Sequence, residues 1–292
     1  MNNLKFIAEV SSNHNQDIKR CKQFIKTAKK VGCDGIKFQL FKIDQLFATE
    51  ILENNSDLRE RKEWELPVEF IPELHAFAHD YGLEFSCTPF YLGAVDELKP
   101  YVDFFKIASY ELLWHDLFIK CAQTGLPIVF STGMATLAEI QGTLNSLVGK
   151  KSKDITILHC NSAYPTAVKD ANLEAIETLR NQLSDLDNKL NLSFGWSDHT
   201  VSPAVIYRSI YYYRANFIEF HLDLDGKGEE YSSGHCWLPD EIASVIKNVQ
   251  DGFLSEGNGK IGPSKSEKNE REWRADPSDG LRPLLHTRKH SK

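Results

Sequence analysis

Two stretches of this chain close on a histidine after a short apolar run: Phe194-Gly195-Trp196-Ser197-Asp198-His199 and Phe217-Ile218-Glu219-Phe220-His221. One helix-length segment, Ser202 to Arg214, lies between them. If the runs are parallel strands, that segment is their crossover, and both imidazoles emerge at the same ends of neighbouring strands. Two imidazoles converging on one cavity could hold a divalent metal; otherwise each is an ordinary buried histidine satisfied by a hydrogen bond. Other apolar runs carry polar residues inside them: Glu9, Lys37, Gln39 and Lys106. A lysine is almost never buried unpaired, because desolvating its ammonium costs several kcal/mol. Two such lysines ask for an anionic ligand or for fixed carboxylate partners, such as Glu9 for Lys37. Hydroxyls follow at the run ends, at Ser86, Thr88, Ser109, Ser131 and Ser197, and lysines with hydroxyls suit a phosphate or a carboxylate. His75 and His79 stand four apart on a helical segment, a weaker metal clasp on the outer face of the same layout.

The elements that must position these residues are legible as a repeat. Apolar runs recur at Phe6–Val10, Gly35–Gln39, Glu84–Cys87, Phe104–Ile107, Ile128–Ser131, Thr156–His159, Ser193–Trp196 and Phe217–His221. Segments of helical spacing alternate with them: Lys19–Val31, Val68–Tyr81, Leu92–Leu98, Leu113–Thr124, Leu137–Leu147, Asn172–Leu183, Ser202–Arg214 and Pro239–Gly252. Strand and helix repeated eight times over about 250 residues predict an α/β protein with a closed (β/α)8 barrel, a TIM barrel, whose site lies at the C-terminal ends of the strands. An open doubly wound sheet is disfavoured, because no Gly-x-Gly-x-x-Gly follows the first strand. Thr136 with Glu139 reads as a capping box. The charged insertion Ile43–Glu65 reads as an excursion over the top or side of the barrel. The expected organisation is a catalytic barrel over 1–262 and a C-terminal arm or lid over 263–292, with a basic, disordered end at His286–Lys292.

Composition narrows the class. A net charge of -7 with dispersed basic residues argues against a nucleic-acid surface. No apolar run approaches the roughly 18 residues of a membrane span. The chain enters a strand-like run at Leu4, so no signal peptide and a cytoplasmic location are expected. The six cysteines are scattered with no Cys-x-x-Cys, and read as reduced core residues; Cys236, beside His235, reads as inert rather than reactive. Bottom-up, the residues describe a metal-assisted barrel enzyme acting on a small anionic, phosphorylated substrate. Two histidines are too few for a closed metal shell, which suits an open Lewis-acid site.

The chain resembles the sialic acid synthase family over roughly Phe6 to Gly262. The resemblance rests on Ile7-Ala8-Glu9 with Asn13-His14-Asn15, Ile36-Lys37-Phe38-Gln39, Ser86-Cys87-Thr88-Pro89-Phe90, Lys106-Ile107-Ala108-Ser109-Tyr110-Glu111, Ser131-Thr132-Gly133-Met134, Leu158-His159-Cys160 with Tyr164-Pro165-Thr166, and Ser197-Asp198-His199-Thr200, all in order. It implies condensation of phosphoenolpyruvate with an N-acetylated amino sugar, and an Mn2+ or Mg2+ ion on His199 and His221. By the same resemblance, phosphoenolpyruvate maps onto Lys37, Thr88, Lys106, Ser109, Ser131 and Ser197, the sugar onto Gln39 and Tyr164, and acid/base roles onto Glu9 and Glu111. Three departures matter. Ser162 stands where the family often has asparagine. The family's Glu-Lys-His reads Glu219-Phe220-His221, followed by an unusual loop in which Glu230 would replace a sugar-contacting aspartate. Typical members also carry a C-terminal antifreeze-like domain whose arginine reaches the sugar in a partner subunit; the expectation here is a single-barrel variant in which Arg274 or Arg282 supplies that charge. The acceptor stays open among N-acetylmannosamine, a bacillosamine-derived sugar and another aldose. The competing readings are a barrel that binds sugar or phosphoenolpyruvate without turnover, and another metal-dependent aldolase-type barrel. A homodimer is possible, and Tyr211-Tyr212-Tyr213 are expected to pack within the helical ring.

Overall fold

The computed structural model describes residues 4–289. Each apolar run forms a strand: β1 Lys5–Glu9, β2 Gly35–Leu40, β3 Glu84–Pro89, β4 Phe104–Ile107, β5 Ile128–Ser131, β6 Asp154–His159, β7 Asn191–Asp198 and β8 Phe217–Leu222. Every neighbouring pair is parallel, and β1 pairs with β8, so the sheet closes into a (β/α)8 barrel. The runs are continuous rather than alternating because a strand covered by helices outside and packed side chains inside is buried on both faces. β7 approaches β8 so closely that Gly195 is obligatory: a Cβ there would lie 2.2 Å from the Phe217 carbonyl oxygen.

The outer helices show why the spacing reads as helical. The helix Ile18–Val31 buries Cys21, Phe24, Ile25, Ala28 and Val31, one stripe at three- and four-residue intervals. Asp17 caps it by accepting from the Lys19 amide, and Gly32 ends it in the left-handed conformation. The capping box at Thr136 and Glu139 is formed.

The barrel interior is layered. Ile7, Phe104, Val129, Leu158 and Phe217 form a buried apolar cluster, with Phe104 and Phe217 edge to face at 5.8 Å. Side chains alternate faces along a strand, so the residue two positions on points into the same interior. Those residues are Glu9, Lys106, Ser131, Cys160 and Glu219, with His221 one further step along β8. An apolar floor therefore carries a polar layer directly above it, towards the C-terminal ends.

Several features lie outside the repeat. A ninth strand, Cys236–Trp237, pairs with β8 at His221 and Leu222, beyond the point where β7's pairing ends at Phe220. The insertion holds three short helices, Ile43–Leu46, Thr49–Asn54 and Ser56–Glu60, around an apolar cluster of Phe41, Ile43 and Leu52. Leu46, Phe47, Leu58, Trp64 and Phe90 pack against that cluster, so the segment is less purely charged than it reads. All six cysteines are free and buried. Tyr211 and Tyr212 are not packed within the ring as expected: they are 47% and 62% exposed, and Tyr212 lies under the Arg208 guanidinium. The chain divides into two compact units, Met1–Val249 and Gln250–Lys292. In the second unit, Leu285–Lys289 forms a helix where disorder was expected; Arg288 binds the Asp279 carboxylate and the carbonyls of Leu281 and Pro283. The remainder of that expected tail, residues 290–292, lies outside the described residues. No helix among the described residues is long and apolar enough to cross a membrane.

Candidate active site

The polar layer opens into a cavity of about 750 Å³ at the C-terminal ends of the strands. That is ample for a sugar-sized ligand beside a small phosphorylated one. Its base is a network of four buried charges. Glu9 and Lys37, register partners on β1 and β2, meet as an ion pair. Lys106 lies 3.4 Å from Glu219 Oε1, and Lys37 lies 4.0 Å from Glu219 Oε2. Lys37 also donates to Thr88 Oγ1 at 3.1 Å, which puts Thr88 behind the lysine rather than on the cavity wall. Ser197 donates to Glu219 Oε1 at 3.3 Å. Burial pulls the Lys37 ammonium down to about 8, with the Glu219 charge opposing, so it remains protonated at neutral pH. Burial alone would raise Glu219, but Lys106 and Lys37 outweigh it and hold the carboxyl below its ordinary value. The two lysines thus lie within ion-pair distance of two buried carboxylates, with hydroxyls at Ser109, Ser131 and Ser197 beside them. Ser131 Oγ is buried with no hydrogen-bond partner among the described residues, free to donate to a ligand.

Ser109 is held from behind. Its hydroxyl meets Ser162 Oγ at 2.9 Å, and Ser162 lines an adjoining cavity of about 310 Å³ rather than the main one. Gly133, at φ +51°, makes this possible: a Cβ there would stand 2.5 Å from both Ser109 Cβ and Ser162 Oγ. Glu111 enters from the loop after β4. Its Oε2 is buried without a hydrogen-bond partner among the described residues, and burial lifts its carboxyl to about 7, with Lys106 opposing.

Across the mouth stand the imidazoles. His199 shares its Nδ1 proton with the Asn161 carbonyl at 2.7 Å, and His221 Nδ1 meets Glu230 Oε2 at 3.0 Å. Fixing the proton on Nδ1 leaves each Nε2 lone pair for an ion, the arrangement that metal-binding histidines share. Burial lowers His199 to about 3, with the nearby His221 adding to it, and burial likewise lowers His221. Both rings are therefore neutral at physiological pH, as ligands must be. Their centroids lie 5.3 Å apart. Burial would raise Glu230, but hydrogen bonds with His221 and His235 hold it well below the usual carboxylate range. Its other oxygen accepts from Ser11, and its amide donates to Asn13 Oδ1 at 2.8 Å. Glu230 thus orients an imidazole as well as lining the cavity.

Of the residues singled out in the sequence, Glu9, Lys37, Gln39, Lys106, Ser109, Glu111, Ser131, Tyr164, Ser197, His199, His221 and Glu230 line this cavity. Arg274 and Arg282 are exposed on the second unit, where Arg274 Nε donates to the Arg271 carbonyl; their link to a sugar rests on the resemblance alone. His79 is engaged by Asp103 at 2.8 Å on the outer ring. Sequence reasoning passed over Glu219 and His235. Glu219 had a signal, since it stands two residues before His221 and so shares its face. Nothing in the sequence separated His235 from its loop. Also unforeseen is an aromatic wall from the insertion, where Leu46, Phe47 and Trp64 line the cavity with Phe90.

A model of the NeuB family matches residues 24–261. Over 265 residues the chain is 36% identical to an uncharacterised protein of Methanocaldococcus jannaschii, covering 90% of this chain and 75% of that one. It is 31% identical to an N,N'-diacetyllegionaminic acid synthase of Campylobacter jejuni, covering 90% of this chain and 80% of the other. Among solved structures, the N-acetylneuraminic acid synthetase of Leptospira borgpetersenii in complex with citrate superposes with a TM-score of 0.78 at 28% identity, covering 94% of this chain and 92% of that one.

Proposed function

The chain belongs to the NeuB family, and from that premise we propose that this nonulosonic acid synthase condenses phosphoenolpyruvate with an N-acetylated amino sugar and releases phosphate by C–O cleavage. The observation that carries the reading is the network at the cavity base, two lysines at ion-pair distance from Glu9 and Glu219 with hydroxyls beside them. Such a base suits a ligand with a phosphate at one end and a carboxylate at the other. Lys37 and Lys106 bind and orient phosphoenolpyruvate, with Ser109, Ser131 and Ser197 donating to its oxygens and Thr88 fixing Lys37. Gln39 and Tyr164 contact the sugar.

An Mn2+ or Mg2+ ion on the Nε2 atoms of His199 and His221 would act as a Lewis acid on the acceptor's aldehyde oxygen. C3 of phosphoenolpyruvate bonds to the aldehyde carbon, whose oxygen becomes a hydroxyl on taking a proton. The positive character left at C2 is stabilised by the nearby carboxylates, Glu9 and Glu111. Water adds at C2, and Glu111, poised near neutrality by burial, accepts its proton. The C2–O bond to phosphorus then breaks, the added C2 hydroxyl becomes the 2-keto carbonyl, and inorganic phosphate leaves with the hydroxyl's proton.

The test is phosphate release from phosphoenolpyruvate, with N-acetylmannosamine and with 2,4-diacetamido sugars, in the presence of Mn2+ and after EDTA. EDTA-sensitive release that needs both substrates is expected with at least one acceptor. Phosphoenolpyruvate bound by calorimetry but never turned over across that panel would overturn the enzymatic reading.

A further inference from the structure

A third imidazole reaches the metal-ligand face. We propose that His235 is a ligand of the metal ion, making the site a cluster of three imidazoles, His199, His221 and His235, with Glu230 as the carboxylate that organises it. The proposal rests on the reading of His199 and His221 as metal ligands, and deepens it.

Three independent observations support it. The first is placement: β9 pairs with the end of β8 at His221 and Cys236, so His235 enters the rim one residue before that register pair. The second is spacing. The ring centroids of His221 and His235 are 4.6 Å apart, those of His199 and His221 5.3 Å, and those of His199 and His235 6.1 Å. An imidazole bound through nitrogen at about 2.1 Å keeps its centroid roughly 3.2 Å from the ion, so rings sharing one ion fall roughly 4.5–6.4 Å apart. All three separations lie in that range. The third is an unmet need: His235 is 3% exposed, yet neither of its ring nitrogens has a hydrogen-bond partner among the described residues. A buried ring nitrogen without a partner is costly, and an ion with its bound water supplies one.

Glu230 ties the cluster together. Its Oε2 lies 3.0 Å from His221 Nδ1 and 3.4 Å from His235 Nε2. Donor atoms of His221, Glu230, His235 and Cys236 all fall within 4.8 Å of one another. Glu230 stands only at ion-pair distance from Nε2, so His235 keeps a ring nitrogen for the ion. Cys236 contributes packing: burial raises its thiol to about 12, and the Asn13 amide reaches its sulfur at 3.6 Å. A third nitrogen donor strengthens the hold on nitrogen-preferring divalent ions such as Co2+ relative to Mg2+.

The experiment is a titration of the full chain with Co2+ alone, followed by visible absorption and by calorimetry. The variants are His235→Ala, His235→Gln, His199→Ala and His221→Ala, each checked for an unchanged thermal melt in EDTA. Both His235 variants are expected to weaken Co2+ binding at least tenfold and to shift the absorption band. Wild-type affinity and an unshifted band in both, with binding weakened by His199→Ala and His221→Ala, overturn the proposal and leave the two-histidine site standing. Wild-type binding in all four variants overturns the two-histidine site as well.

Discussion

Glu9 and Lys37 face each other across the first two strands and form an ion pair at the cavity base. Both are buried, and Glu9 Oε1 is occupied by the Ser11 amide at 2.6 Å. Removing one partner leaves an uncompensated buried charge. Lys37→Met is expected to lower stability by about 3–5 kcal/mol, and the double change Glu9→Gln with Lys37→Met to cost less than the two single changes added together. Urea unfolding of the four proteins measures this; strictly additive losses would show that the pair is not coupled.

Glu111 sets a pH dependence with two opposite faces. Burial lifts its carboxyl from 4.5 to about 7, so the folded protein holds this proton more tightly than the unfolded chain does. Its contribution to stability is complete below pH 4.5 and is lost as pH rises through about 7. A carboxylate acting as base is gained over the same upper range. The wild type should therefore lose melting temperature relative to Glu111→Gln between pH 5 and pH 8. Its kcat/KM should rise along a limb near pH 7 that the variant lacks. The same limb in the variant would assign the base elsewhere.

Gly133→Ala tests the backing of Ser109. The added Cβ meets Ser109 and Ser162 at 2.5 Å, and the left-handed backbone resists a side chain as well. The expected result is a loss of about 1–2 kcal/mol of stability together with weaker binding of phosphoenolpyruvate. Calorimetry on the folded variant reads the second effect; unaltered affinity would exclude Ser109 from the anion site.

The aromatic wall predicts a selective effect. Phe47→Ala and Trp64→Ala remove apolar surface from the mouth and touch none of the four charges at the base. Each is expected to raise the acceptor's KM about tenfold, for about 1–2 kcal/mol of lost contact, with the KM for phosphoenolpyruvate unchanged. Equal changes in both constants would place these residues in the structure of the mouth rather than in acceptor binding.

What was legible in the sequence follows from length and periodicity. Strands of four to eight residues buried on both faces stand out as apolar runs, and polar residues embedded in them, such as Lys37 and Lys106, mark the interior. Parallel crossovers then fix which ends share the mouth, which is why His199 and His221 could be brought together from spacing. His235 could not, because it precedes a strand of two residues, too short to leave a pattern. The insertion helices, of four to six residues, complete too few turns for an apolar stripe, so Phe47 and Trp64 read as parts of a charged loop. The helix Leu285–Lys289 was hidden for the same reason, beneath a basic composition that resembles disorder.

The pairing of β1 with β8 has a temporal meaning. Lys5 and Phe217 are register partners, so the first strand keeps one edge unsatisfied until roughly two hundred further residues exist. The three imidazoles and Glu230 all come from the last third of the chain, while Ser11 and Asn13, which grip Glu230, come from the first loop. During synthesis this cluster of imidazoles is thus among the last things to exist, assembled by the same event that closes the ring. A nascent chain that stops short of β8 lacks His221 and Glu230 altogether; after closure the bonds of Ser11 and Asn13 with Glu230 tie the first loop to the last.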